Sequence, residues 1–178
     1  MLRKVLVCLD GSALGEKVLS WVKRECARSE SRVTMFHILT TDIPMYALPN
    51  TEPMRYIPFE LFDEEVDARE ARMRLYLEEI SAALRARGLD ADFALVKGRT
   101  ADLGEDIAAY AVKDDYSLIA MATHGYKGWR RLLWGSVTES VTRLSSVPVL
   151  VIRPAIPGRS GNALAGVTED FTLSSDGA

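Results

Sequence analysis

Five apolar, β-branched runs punctuate the chain: KVLVCLD (4–10), RVTMFHIL (32–39), ADFALVKG (91–98), YSLIAMAT (116–123) and VPVLVIR (147–153). The first, fourth and fifth are nearly continuous in hydrophobicity, which predicts strands covered on both faces. Between the runs the period changes. Leu14, Val18, Val22 and Cys26 recur every four residues, and Val66, Met73, Leu77, Ile80 and Leu84 keep seven-, four- and three-residue steps. Leu103, Ile107 and Ala111 form a third stripe, and Val137, Val141 and Leu144 a fourth. Spacing of this kind lines apolar side chains along one side of an α-helix.

Boundary residues agree with that division. Ser12 and Thr100 are candidate N-caps, and Gly88 is a candidate terminator of the long second helix. Strand and helix alternate four times and the series ends on a strand. The expectation is therefore one doubly wound α/β domain, with a five-stranded parallel sheet and helices on both faces; with the first strand central, the expected order is 3-2-1-4-5. The domain is expected to occupy residues 1–154. Residues 155–178, rich in Gly, Ser and Ala and without periodicity, are expected to form a flexible tail. Residues 40–60, TTDIPMYALPNTEPMRYIPFE, carry four prolines and read as a long loop at the C-terminal edge of the sheet. Their aromatics and methionines fit either a lid or a variable surface loop.

Composition narrows the function classes. The chain has 178 residues, 48% hydrophobic and 26% charged, enough for one sizeable core and little room for a second. A net charge of −3 gives no reason to expect a nucleic-acid partner. Cys8 and Cys26 are too few for a disulfide framework and lack metal-ligand spacing, so both read as small buried hydrophobes in a reducing compartment. The N-terminal MLRKVLVCLDGS has one short apolar run, well below a signal or membrane segment. A cytoplasmic protein with no membrane association is expected.

Open parallel sheets bind ligands beyond the C-terminal strand ends, where the strand order reverses. With the first strand central, LDGS (9–12) ends beside ATHG (122–125), so MATHGYKGWRRLLWGS (121–136) stands at that point. Its glycines permit tight turns and close backbone approach, and Gly135-Ser136 opens a helix whose free N–H groups favour an anion. The segment is neither a GxxxxGK[ST] loop nor a GxGxxG loop after the first strand. Lys127, Arg130 and Arg131 read equally as a solvated turn and as phosphate or partner contacts. Trp129, Leu132, Leu133 and Trp134 read as packing residues, His124 as a loop histidine near the phosphates, and His37 as a partly buried structural histidine.

These pieces, taken in order, resemble the universal stress protein family: VCLDGS (7–12), FHIL (36–39), ATHGYKGWRRLLWGS (122–136) and VPVLVIRP (147–154). The third matches the nucleotide motif G-x2-G-x9-G-[ST], except that Ala122 stands where the first glycine is expected. The resemblance implies an adenine-nucleotide site for ATP, or AMP or ADP, with Mg²⁺ as an optional companion of the phosphates. It assigns Asp10 and Ile38 to the adenosine, and Ala122, Gly125, Gly135, Ser136, Val137 and Thr138 to the ribose and phosphates. It also implies a homodimer through strand 147–153, which would cover an apolar sheet edge. Hydrolysis needs a positioned base and metal carboxylates, and the motif loop contains no Asp or Glu, so at most slow ATP hydrolysis is expected. Two other readings stand beside this one. The first is a dimeric interaction scaffold of the same fold that binds no nucleotide, to which Ala122 lends some weight. The second is a small hydrolase or transferase, for which no nucleophile–base pair speaks.

Overall fold

The computed structural model describes residues 3–41, 59–123 and 136–153. Five parallel strands form one sheet: β1 (Lys4–Cys8), β2 (Arg32–Thr40), β3 (Ala91–Gly98), β4 (Leu118–Ala122) and β5 (Val149–Ile152). Their order is β3-β2-β1-β4-β5, the order expected with the first strand central. Cys8 stands opposite both Phe36 of β2 and Met121 of β4, which fixes the register at the C-terminal end of the central strand.

Among the described residues four α-helices cover the sheet: α1 (Val18–Ser29), α2 (Phe59–Arg85), α3 (Leu103–Lys113) and α4 (Ser136–Leu144). Side chains that alternate along a strand go to opposite faces. Val5, Val7, Val33, Met35 and Ala120 therefore join Val18, Val22 and Cys26 of α1 and Leu77 and Leu84 of α2 in one core. Leu6, Phe36, Ile38, Ile119 and Met121 join Ile107 and Ala111 of α3 and Val141 of α4 in the other.

Turn chemistry sets the boundaries. β1 ends at Cys8, short of the run 4–10, because Asp10 and Gly11 already belong to a turn and Gly11 has φ +77°. β5 starts after Pro148, which has no N–H to give to the sheet, although its carbonyl still accepts the Ile119 N–H at 2.9 Å. Ser12 stands ahead of the helix caps. Its Oγ accepts the Gly15 N–H at 3.0 Å, while Leu14 is the N-cap of the 3-10 turn Gly15–Lys17 and Lys17 that of α1, so Ser12 caps neither. Thr100 is not a cap, since it lies inside a second 3-10 turn (Thr100–Asp102) that precedes α3. At Gly88 (φ +83°) the Leu89 N–H reaches back to Leu84 O and the Gly88 N–H to Arg85 O, a Schellman closure with Leu84 and Leu89 in the same core. Leu144 departs from its predicted stripe: it is the last residue of α4 and is 49% exposed.

α3 and α4 meet at a glycine. A Cβ on Gly104 would run into Oγ and Cβ of Ser140 and come within 3.2 Å of the Ser140 backbone carbon. The missing side chain therefore sets the distance of α4, and of its N-terminal end, from α3. Gly104→Val is expected to destabilise the protein by about 1–3 kcal/mol through overpacking. Urea denaturation against wild type measures this, and an unchanged midpoint would show that α4 is not held at that distance.

Candidate functional site

A cleft of about 360 Å³ opens where β1 and β4 end side by side, at the reversal of the strand order. Asp10, Ile38, Ala122, Ser136, Val137 and Thr138 all line it. Six residues drawn from four separate parts of the chain are thus brought to one place. Gly125 and Gly135 lie outside the described residues, as do His124, the basic and tryptophan-bearing stretch 127–134, residues 42–58 and the tail from 154 onward.

The Asp10 corner is built from short-range bonds. Asp10 Oδ1 accepts the Ser12 N–H at 3.0 Å and the Ser12 hydroxyl at 2.7 Å, while Ser12 Oγ accepts the Gly15 N–H at 3.0 Å. This is the aspartate turn that short polar side chains favour, so Asp10 has a structural duty whatever else it contacts. A Cβ on Gly15 would collide with Asp10 Oδ1. The sequence DGSALG (10–15) therefore needs glycine at both ends of the turn, Gly11 for its positive φ and Gly15 for its closeness to the carboxylate.

Apolar side chains form the walls. Phe36 and Ile38 come from the end of β2, Leu103 and Ile107 from α3, and Cys8 and Met121 from β1 and β4. Burial pushes the Cys8 thiol up to about 12, so it is neutral and acts as a small apolar group. Burial and the neighbouring Glu25 carboxylate raise Cys26 to about 11, and both cysteines are free thiols. Gly98, at the end of β3, lets Ile38 take its place, since a Cβ there would stand 2.6 Å from Ile38 Cγ2 and 2.9 Å from Asp106 Oδ2. At the other end α4 begins at the cleft, with Ser136 exposed, Val137 half-buried and Thr138 4% exposed. The Thr138 carbonyl accepts the Thr142 hydroxyl at 2.7 Å.

Phe36, Leu103, Ile107, Met121 and Cys8 were not singled out by sequence, because an apolar lining residue looks the same as a core residue. Their usable signal is position, at strand C-termini and in the first turns of the following helices. Chemically the cleft offers an apolar slot, one carboxylate and a helix start, which suits a flat heterocycle carrying hydroxyls and an anion. Among the described residues no three His, Cys, Asp or Glu are grouped to hold a metal ion. None of the described helices is long and apolar enough to cross a membrane.

Comparison with known proteins decides the family. A sequence model described as "Universal stress protein family" matches residues 1–153. The chain belongs to the universal stress protein family. It is 24% identical over 153 residues to the universal stress protein YxiE of Bacillus subtilis, covering 86% of this chain and all of that one. The solved structure of the hypothetical protein MJ0577, whose biochemical function was assigned from structure, superposes with a TM-score of 0.69 at 24% identity and covers 88% of this chain and 99% of that one. A universal stress protein family member from Arabidopsis thaliana, solved with AMP bound, gives 0.58 at 15% identity, covering 86% of this chain and 92% of its own. Both likenesses establish the shared fold.

His37 lines the same cleft from β2 and is half-buried. Burial lowers its pKa below the ordinary 6.5 and Arg69 pushes the same way, against the opposing pull of the Leu9 carbonyl and of Asp10. A histidine whose folded pKa is depressed binds its proton more readily in the unfolded chain. Its contribution to stability is therefore complete above about pH 6.5 and is lost as pH falls from there through the folded value. Urea midpoints of wild type and His37→Asn, compared between pH 7 and 5, are expected to fall more steeply for wild type. Parallel curves would contradict the depressed pKa.

Proposed function

We propose that the chain is an adenine-nucleotide-binding regulatory module of the cytoplasm, acting in stress responses as a homodimer, with at most slow ATP hydrolysis. The observation that carries this reading is the convergence of Asp10, Ile38, Ala122, Ser136, Val137 and Thr138 on one cleft at the strand-order reversal. The AMP bound to the Arabidopsis relative supports an adenine nucleotide as the ligand class.

In this reading the base occupies the slot between Ile38, Phe36 and the α3 side chains Leu103 and Ile107. The Asp10 carboxylate, which offers several acceptor positions, takes a hydroxyl proton of the nucleoside. The sugar passes Ala122, and the phosphates meet the start of α4 at Ser136, Val137 and Thr138, joined by Gly125 and Gly135 of the motif. The ligand is ATP, AMP or ADP, with Mg²⁺ serving only to neutralise the phosphates. The methyl of Ala122 weakens, without abolishing, the backbone approach that a glycine would allow. β5 supplies the dimer interface. It ends the sheet and all four of its residues are half-buried in the single chain, so a second copy would cover a strand edge that is otherwise a liability.

Calorimetric titration with ATP, AMP and GTP, with and without Mg²⁺, tests the ligand. Saturable binding of the adenine nucleotides is expected, with Asp10→Ala weakening it by about 10- to 100-fold, the range for a hydrogen bond to a charged group. Folded protein that binds no adenine nucleotide would leave the scaffold reading in its place. For the assembly, sedimentation is expected to give about twice the 19.7 kDa chain mass. A strictly monomeric species at high concentration would remove the β5 interface.

A further inference from the structure

His37 performs a task that neither its place in a strand nor the family motif explains. Leu9 is the first residue beyond β1, and its N–H still reaches Phe36 O at 2.9 Å, one step past the paired Cys8 and Phe36. Its carbonyl then accepts a side-chain donor, His37 Nδ1, at 2.7 Å. A carbonyl oxygen is an acceptor only, so Nδ1 carries the proton and the tautomer is set. The next residue is Asp10.

We infer that His37 is a positioning residue for the nucleoside end of the cleft: its Nδ1–H bond to the Leu9 carbonyl fixes the direction in which the chain leaves β1 and thereby places the Asp10 carboxylate. The inference rests on the adenine-nucleotide reading above. Three further observations agree with it. His37 is among the residues that line the cleft, with Leu9 and Asp10, and its Nδ1 stands 2.7 Å from the Leu9 carbonyl, at the start of the turn. The Asp10 turn is closed on its far side by Ser12 and Gly15, and on its near side the Leu9 N–H is held by the sheet, so the Leu9 carbonyl stands directly before the residue that carries the carboxylate. Burial and Arg69 keep the ring neutral, while Asp10 and the Leu9 bond pull the other way, so the singly protonated ring with its proton on Nδ1 is the resting form at neutral pH.

The test is a mutant cycle read by calorimetry with AMP and ATP. His37→Leu removes the donor, whereas His37→Asn keeps an N–H at nearly the position of Nδ1. The leucine variant is expected to bind about 10-fold more weakly and the asparagine variant within about 3-fold of wild type, as befits the loss or retention of one hydrogen bond. If His37 acts through Asp10, His37→Leu combined with Asp10→Ala binds no more weakly than Asp10→Ala alone. A residue that merely holds the fold together would instead give additive losses. Equal affinity of His37→Leu and wild type overturns the inference, as does an asparagine variant as weak as the leucine one, or full additivity. If the leucine variant does not fold, His37→Val, a strand former without a donor, takes its place. Amide exchange separates this inference from the functional reading. Should wild type bind no adenine nucleotide, faster exchange of the Ser12 and Gly15 N–H groups in His37→Leu but not in His37→Asn still supports the positioning role. Unchanged exchange in both refutes it.

Discussion

The site depends on the parallel pairing of β1 with β2 on one side and β4 on the other. A chain wound outward from a central strand and then restarted on its other side leaves two adjacent strand ends whose connections diverge. Leu9 and Thr123, the first residues beyond β1 and β4, still bond to Phe36 O and Ile152 O, so the two strand ends are held side by side up to the cleft. The two cores, one under α1 and α2 and the other under α3 and α4, hold that sheet rigid from both faces.

Small residues then set the distances. Gly104 brings α4 against α3, Gly98 admits Ile38 beside Asp106, and Gly15 leaves space for the Asp10 carboxylate. Each works by the absence of one carbon at a contact between elements that are distant in sequence or turned sharply back. The polar groups of the site are few and short-range by comparison. The Asp10 corner rests on Ser12, the Gly15 N–H and the bond between Leu9 and His37. The cleft is thus largely apolar along its walls, with its carboxylate at one end.

The two-faced arrangement of helices was legible because burial on both sides writes unbroken apolar runs, and one-sided burial writes four- and three-residue steps, whereas strand order has no mark in those runs. That Asp10, Ile38, Ala122, Ser136, Val137 and Thr138 would meet at one cleft was legible because their spacing matches a family pattern and topology brings strand ends together. Ends of elements were less so. The shortening of β1 depends on the Asp10 turn, that of β5 on an N–H that Pro148 lacks, and the start of α3 on a 3-10 turn at Thr100. Phe36, Leu103, Ile107 and Met121 carry no mark that separates lining from core. Gly98 and Gly104 could not be read at all, since their importance lies in what stands opposite them in space.

Three helices close on a left-handed residue, yet only one of these is glycine. Gly88 ends α2, whereas Glu30 and Asp115, with φ of 50° and 56°, end α1 and α3. A side chain in that conformation carries strain on the order of 1 kcal/mol. Both residues sit where the chain re-enters the sheet at the N-terminal ends of β2 and β4, on the side away from the cleft. The fold thus holds a reserve of stability that can be released by glycine at either position without touching a cleft residue. Backbone strain and the lining of the cleft can be adjusted separately because they occupy opposite rims of one sheet.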